Sequence, residues 1–151
     1  MAASRILVVD DKLALAETLA DGLADRGYEA RAVASGQEGL AALRAGQVDL
    51  IVTDLRMPDV DGLALLDAAG ETPVIVMTAY GAIDSAVESI RRGAYHYLTK
   101  PFKLDELLAF VERALAERTL RREAAVLREQ VRGQFSVRGL VGGSAAMQRV
   151  L

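Results

Sequence analysis

The chain has no cysteine, no tryptophan and a single histidine, His96. Without thiols it can form neither a disulfide framework nor a thiolate zinc site, and one imidazole cannot build a multi-histidine metal centre. Oxygen donors remain, and these favour hard cations such as magnesium. Positive charge is not in excess: 18 basic against 21 acidic residues leave a formal net charge of −3 and a pI near 5.2. The chain therefore has no surplus charge to neutralise a phosphate backbone, and no direct nucleic-acid binding is expected of this segment. Long apolar runs are also missing. The opening MAASRILVVDD holds four consecutive apolar residues before two aspartates, too few for a signal-peptide core, and no run approaches the ~20 residues of a membrane span. The expectation is a cytoplasmic protein without membrane association.

What the chain does have is 52% hydrophobic content in 151 residues, enough for one full core and an extension. Compact β-rich runs recur at Ile6 to Val9, Tyr28 to Val33, Leu50 to Thr53, Val74 to Met77 and Tyr95 to Leu98. Runs such as ILVV and VIVM are continuous rather than alternating, which suits strands covered on both faces of a parallel sheet. Between them Leu15, Leu19 and Leu23 recur in steps of four, and Ile83, Val87 and Ile90 in steps of four and three, each set making one apolar helix stripe. Five β then α units predict an α/β fold, a doubly wound five-stranded parallel sheet of flavodoxin-like type. The alternation gives the class and not the strand order. One unit is cramped: the segment between Gly62 and Pro73 leaves room for a helix of about two turns around Leu63 to Ala68.

After Pro101 a helical pattern runs from Leu104 to about Val131, roughly 40 Å at 1.5 Å per residue. Leu104, Leu108, Val111 and Leu115 share one face, whereas Leu120, Ala124, Leu127 and Val131 share another. The step of five between Leu115 and Leu120 turns the stripe by roughly 140°. Two faces imply two partners. The first suits the sheet; the second has the alternating spacing of a short coiled coil, or of a solvated helix supported by Arg/Glu pairs. From Gly133 the tract GQFSVRGLVGG is expected to break the helix, with Ser144 able to cap a new one. The resulting division is residues 1–118, a linker at 119–133 and the start of a further domain at 134–151.

The chemistry lies where the runs end. Asp10 and Asp11 follow ILVV, Asp54 follows LIVT, Thr78 follows VIVM and Lys100 follows YHYLT. If the runs are parallel strands, their carboxyl ends lie side by side, and open α/β sheets bind ligands just outside those ends. An isolated Asp54 before the Pro58 to Gly62 loop would read as a turn residue. Three neighbouring carboxylates instead repel by about 4 kcal/mol per pair at an effective dielectric near 20, so a divalent cation and Lys100 are expected to offset them. Lys100 could pair with Asp54 at rest and with a transferred phosphoryl group later. Phosphoryl transfer needs an in-line nucleophile and neutralisation of the equatorial oxygens, and a carboxylate, a metal and a lysine suffice.

The ordered set ILVVDD, VTDLRMPDVDG, VIVMTAYG and YLTKPF resembles the receiver domain of two-component response regulators, over about residues 4 to 120. The resemblance implies that Asp54 is the phosphoacceptor, and that Asp10, Asp11, Asp54 and the backbone carbonyl of Arg56 hold Mg2+. It further implies that Thr78 and Lys100 contact the phosphoryl group, that Lys100 to Pro101 is a cis peptide, and that Tyr97 is an aromatic switch. His96, on the opposite face by strand alternation, is expected at the surface with no role. Lys12 departs from the family pattern, standing where another acid or a neutral residue is usual. The stretch AYGAIDSAVESIRRGAYHYLTKPF and the tail GLVGGSAAMQRVL are similar to the sigma-54-dependent activators of the nitrogen regulatory protein C type.

That likeness implies a regulatory portion of a longer activator, with a sensor histidine kinase as phosphoryl donor, a homodimer through the linker helix, and a downstream ATPase domain acting on sigma-54 RNA polymerase. Phosphorylation would re-form the surface around Ile83 to Arg92 and change the dimer arrangement, with an inhibitory unphosphorylated dimer favoured. The segment itself is expected not to be an enzyme. Competing readings are an aspartate-nucleophile magnesium-dependent phosphatase, a receiver-like scaffold that is never phosphorylated, and a nucleotide or flavin module. The phosphatase needs a second Asp where Arg56 stands, and the acidic loop after the first run lacks a phosphate cradle.

Overall fold

A computed structural model describes residues 3–46, 48–79 and 83–142, with side chains as far as Val131 in the last helix. The elements alternate as β1 (Arg5–Val9), α1 (Leu13–Ala24), β2 (Glu29–Val33), α2 (Gly36–Arg44), β3 (Leu50–Asp54), α3 (Gly62–Ala68), β4 (Val74–Thr78), α4 (Ile83–Arg91), β5 (His96–Thr99) and α5 (Leu104–Gly142). The five strands form one parallel sheet in the order β2-β1-β3-β4-β5, the flavodoxin-like arrangement. Each expected run is a strand, and the cramped unit holds a helix of seven residues. The chain divides into two compact units, Met1–Leu115 and Ala116–Leu151.

In the first unit, alternate residues of the buried strands serve two cores. Ile6, Val8, Leu50, Val52, Ile75, Met77 and Leu98 meet Ala16, Leu19, Ala20 and Leu23 of α1 and Leu107, Leu108, Val111 and Ala114 of α5. Leu7, Val9, Ile51, Val74 and Val76 meet Ala42 of α2 and Leu65 and Leu66 of α3 on the other side. The first stripe of α5 therefore packs on the sheet, as its spacing predicts. His96 differs from expectation. Its ring lies 4.0 Å from that of Phe110, half-buried against α5, because an edge strand lying under a helix has no free face on that side.

The α4 stripe also departs from its simplest meaning. Ile83, Val87 and Ile90 are 63%, 43% and 41% exposed, while Ala86 and Ser89 carry the buried face. A small side chain and a hydroxyl bonded to the Ala86 carbonyl let α4 sit close on the sheet, so the larger apolar residues point outward.

In the second unit, α5 continues through Gly133 to Gly142. Glycine in a helix costs only about 1 kcal/mol, and no proline follows Pro101 in the chain, so the expected break does not occur there. Leu120, Leu127 and Val131 are exposed along this segment, and Arg121 pairs with Glu117 one turn earlier. The helix expected after Ser144 lies outside the described residues.

Candidate functional site

The site is assembled by strand register. Val9 stands opposite Thr53, Asp54 opposite Met77, and Thr78 opposite Thr99, so Asp10, Asp54, Thr78 and Lys100 all emerge at the carboxyl ends of the strands. Hydrogen bonds from the Asp10 amide to the Val33 carbonyl and from the Lys100 amide to the Thr78 carbonyl extend the ladder past the strands themselves. The peptide between Lys100 and Pro101 is cis.

Carboxylate oxygens of Asp10, Asp11 and Asp54 all lie within 4.8 Å of one another. Their environments differ: Asp10 is fully buried, Asp54 half-buried and Asp11 exposed. The ammonium of Lys100 lies 2.8 Å from Asp10 Oδ2 and 3.4 Å from Asp54 Oδ2. The lysine thus bridges two carboxylates, with the shorter bond to the one without access to water. That choice follows from desolvation, since a buried unpaired charge is the costlier of the two. The second oxygen of Asp10 accepts the Lys12 amide at 2.9 Å, at the start of α1.

Burial raises the Asp54 pKa above the ordinary carboxylate value, with the charges of Asp10 and Asp11 adding to it and Lys100 opposing it. For Lys100, burial works against the ammonium, but the hydrogen bond to Asp10 and the charge of Asp54 outweigh it and the pKa is raised. In chemical terms, the carboxylates hold more negative charge than one lysine compensates. Ligands of an octahedral ion at 2.0–2.1 Å stand about 3 to 4 Å apart. The three aspartates therefore supply the donor type and the approximate spacing that a small oxygen-loving divalent cation takes.

Thr78 is buried at the end of β4. Tyr97 is half-buried and packs with the core that contains Leu7, Val76 and Ala94, on the face opposite His96. Arg56 is exposed in the loop after β3, two residues beyond Asp54. A groove of about 500 Å³ lined by Leu15, Leu19, Ala79, Lys100, Pro101 and Phe102 opens beside the lysine.

The receiver domain of response regulators matches residues 6–112. The chain belongs to the response regulator receiver domain family. It is 38% identical over 154 residues to the DNA-binding transcriptional regulator NtrC of Proteus hauseri, covering 99% of this chain and 32% of that protein. It is 34% identical to the regulatory protein AtoC of Escherichia coli, covering 99% of this chain and 33% of that one. The crystal structure of NtrX from Brucella abortus superposes with a TM-score of 0.79 at 39% identity, over 85% of this chain and 30% of that chain. The chain thus spans about a third of the length of the curated relatives it matches. Among described residues, no helix is long and apolar enough to cross a membrane.

Two features of this receiver site were not legible in the sequence. Thr53, fully buried, donates its hydroxyl to the Asp54 carbonyl at 2.9 Å. Asp59 accepts the amides of Gly36 and Gln37 at 3.3 and 3.1 Å. No spacing rule joins Asp59 to a helix more than twenty residues earlier; only the fold brings them together.

Proposed function

We propose that Asp54 accepts a phosphoryl group from the phosphohistidine of a sensor kinase, and that this switches a longer sigma-54-dependent activator. The observation that carries this reading is the cluster itself: three carboxylates within 4.8 Å and one lysine shared between two of them. An Asp54 carboxylate oxygen attacks the phosphorus, the P–N bond breaks, and its electron pair stays on the departing imidazole nitrogen. The product is an acyl phosphate on Asp54. Asp10, Asp11, Asp54 and the Arg56 carbonyl would hold Mg2+, which when bound would neutralise charge on the phosphoryl oxygens. Lys100 shifts from the carboxylate to the phosphoryl group, and Thr78 donates a hydrogen bond to it.

The added charge then alters a packed crevice. Thr78 moves toward the phosphoryl group, Tyr97 turns inward, and the α4 surface from Ile83 to Arg92 is re-formed. The exposed Ile83, Val87 and Ile90 support a surface that finds a partner in one of two states. Residues 1–118 act as the receiver, 119–133 as a coiled-coil linker, and 134–151 as the first part of an ATPase domain. The exposed Leu120, Leu127 and Val131 support pairing of that linker with a second copy, in an inhibitory arrangement before phosphorylation. The apolar groove beside Lys100 suits kinase docking, and the setting is the cytoplasm.

Incubation with acetyl phosphate and Mg2+, read by intact mass, tests the acceptor. Wild type should gain one phosphoryl group, and Asp54→Ala should gain none. Phosphorylation that persists in Asp54→Ala refutes the assignment.

A further inference from the structure

The loop between β3 and α3 leaves Asp54 and returns at Gly62, and it is fastened to the protein at its two ends and its middle. At its far end, a Cβ on Gly62 would stand 2.5 Å from the Asp54 carbonyl oxygen and 2.9 Å from Leu55 Cα. The Gly62 amide donates to the Leu55 carbonyl at 2.9 Å, and Asp61 caps α3 by accepting the Ala64 amide at 3.0 Å. In the middle, Asp59 reaches across to α2. Its two oxygens take the first two amides of that helix, Gly36 at 3.3 Å and Gln37 at 3.1 Å.

The adjacent backbone is in direct contact as well. A Cβ on Gly36 would lie 1.9 Å from the Val60 carbonyl oxygen, so only glycine lets the loop lie on the start of α2. The next two amides of α2 are satisfied locally: Ser35 Oγ accepts Glu38 N at 3.1 Å and the Ser35 carbonyl accepts Gly39 N, while the Glu38 carboxylate accepts the Ala34 amide, just before the helix, at 3.1 Å. Ser35 is thus the helix's own cap, serving its third amide. Asp59 satisfies the first two amides from outside the helix, and the same bonds tie the loop to α2.

We propose that Asp59 is a positioning residue of the cation site, pinning the β3–α3 loop to α2 so that Arg56, three residues earlier, is held in place relative to Asp54. This rests on the reading above that the Arg56 carbonyl and Asp54 share a bound Mg2+. Groups that orient a metal ligand from outside the coordination sphere typically change affinity by 10–100-fold when removed. Asp59 acts one step further out, through three residues of backbone, which places its effect at the low end, about tenfold. By linkage, bound Mg2+ should tighten the loop on α2 by the same factor.

Isothermal titration of the whole chain with MgCl2 tests this, with phosphorylation by acetyl phosphate as a second readout. Asp59→Ala should raise the Mg2+ dissociation constant about tenfold. It should slow phosphorylation at low Mg2+ and restore the wild-type rate when Mg2+ saturates. Asp59→Asn, keeping one of two acceptor oxygens, should fall between. Ser35→Ala removes the helix's own cap and should leave Mg2+ affinity within about twofold of wild type. If Asp59→Ala binds Mg2+ as wild type does, or if Ser35→Ala weakens it equally, the positioning role is overturned while the acceptor reading stands. If wild type itself binds no Mg2+, both fall.

Discussion

Replacing Asp54 with asparagine should stabilise the metal-free protein at neutral pH. Asp54 and Asp10 oxygens lie within 4.8 Å, which at an effective dielectric near 20 is repulsion of at least about 3.5 kcal/mol. Asp11 is exposed and adds about 1 kcal/mol at a dielectric close to water. Lys100 at 3.4 Å returns about 5 kcal/mol of attraction. The pair terms nearly cancel, so partial desolvation of the carboxylate decides the sign and disfavours the charge. Asparagine keeps an acceptor for Lys100 and removes that cost.

The pH dependence has a definite sign. Burial and two neighbouring carboxylates raise the folded-state pKa of Asp54. Well below the ordinary carboxylate value the group is protonated in folded and unfolded chains alike, and it contributes nothing. As pH rises through the ordinary value toward the raised one, the unfolded chain ionises first and stability is lost. The advantage of Asp54→Asn should thus be absent in strong acid and fully present at neutral pH. Saturating Mg2+ should reverse the order, because an ion at one hundred times its dissociation constant adds about 2.7 kcal/mol to the protein that binds it. Urea unfolding of both proteins across this pH range, with EDTA or with Mg2+, measures all three. An asparagine variant less stable than wild type in EDTA at neutral pH would refute the charge balance.

Lys100→Met should destabilise by about 3 kcal/mol, because it leaves the fully buried Asp10 without its cation; a neutral result in urea unfolding would mean Asp10 is held by other means. Gly62→Ala should cost about 1 to 3 kcal/mol and slow phosphorylation, since its Cβ would meet the backbone of Asp54 and Leu55; unchanged stability would contradict the close approach. Ile83→Ser with Val87→Ser should stay within about 0.5 kcal/mol per site of wild type, the side chains being 63% and 43% exposed; a large thermal destabilisation would show the stripe to be core. Leu120→Asp with Leu127→Asp should leave the receiver folded but convert an unphosphorylated dimer to monomer by light scattering, and a wild-type monomer would end the linker proposal.

Much of this molecule is written locally. Continuous runs such as ILVV and VIVM demand cover on both faces, and that demand alone implies a parallel sheet wrapped by helices. The residues that end those runs are legible for the same reason: a strand's last position and the site coincide in any open α/β sheet. The double phase of α5 is likewise a matter of counting residues. Its continuation through Gly133 was not, because glycine only weakens a helix and composition does not set where it stops.

Non-local decisions belong to the fold. Whether Lys100 leans to Asp10 or Asp54 depends on which carboxylate is cut off from water, a property of packing and not of spacing. The outward turn of Ile83, Val87 and Ile90 arises because Ala86 and Ser89 occupy the sheet side of α4; a stripe in sequence marks a face but not what lies against it. Asp59 and Gly36 meet only because the sheet order places the β3–α3 loop over the start of α2. The chain's pattern of apolar and acidic residues specified the class of architecture and the chemistry at its edge, since both follow from nearest neighbours along the backbone. Which charges pair, which faces stay bare and which loops are held required three dimensions, since these depend on contacts between residues far apart in the chain.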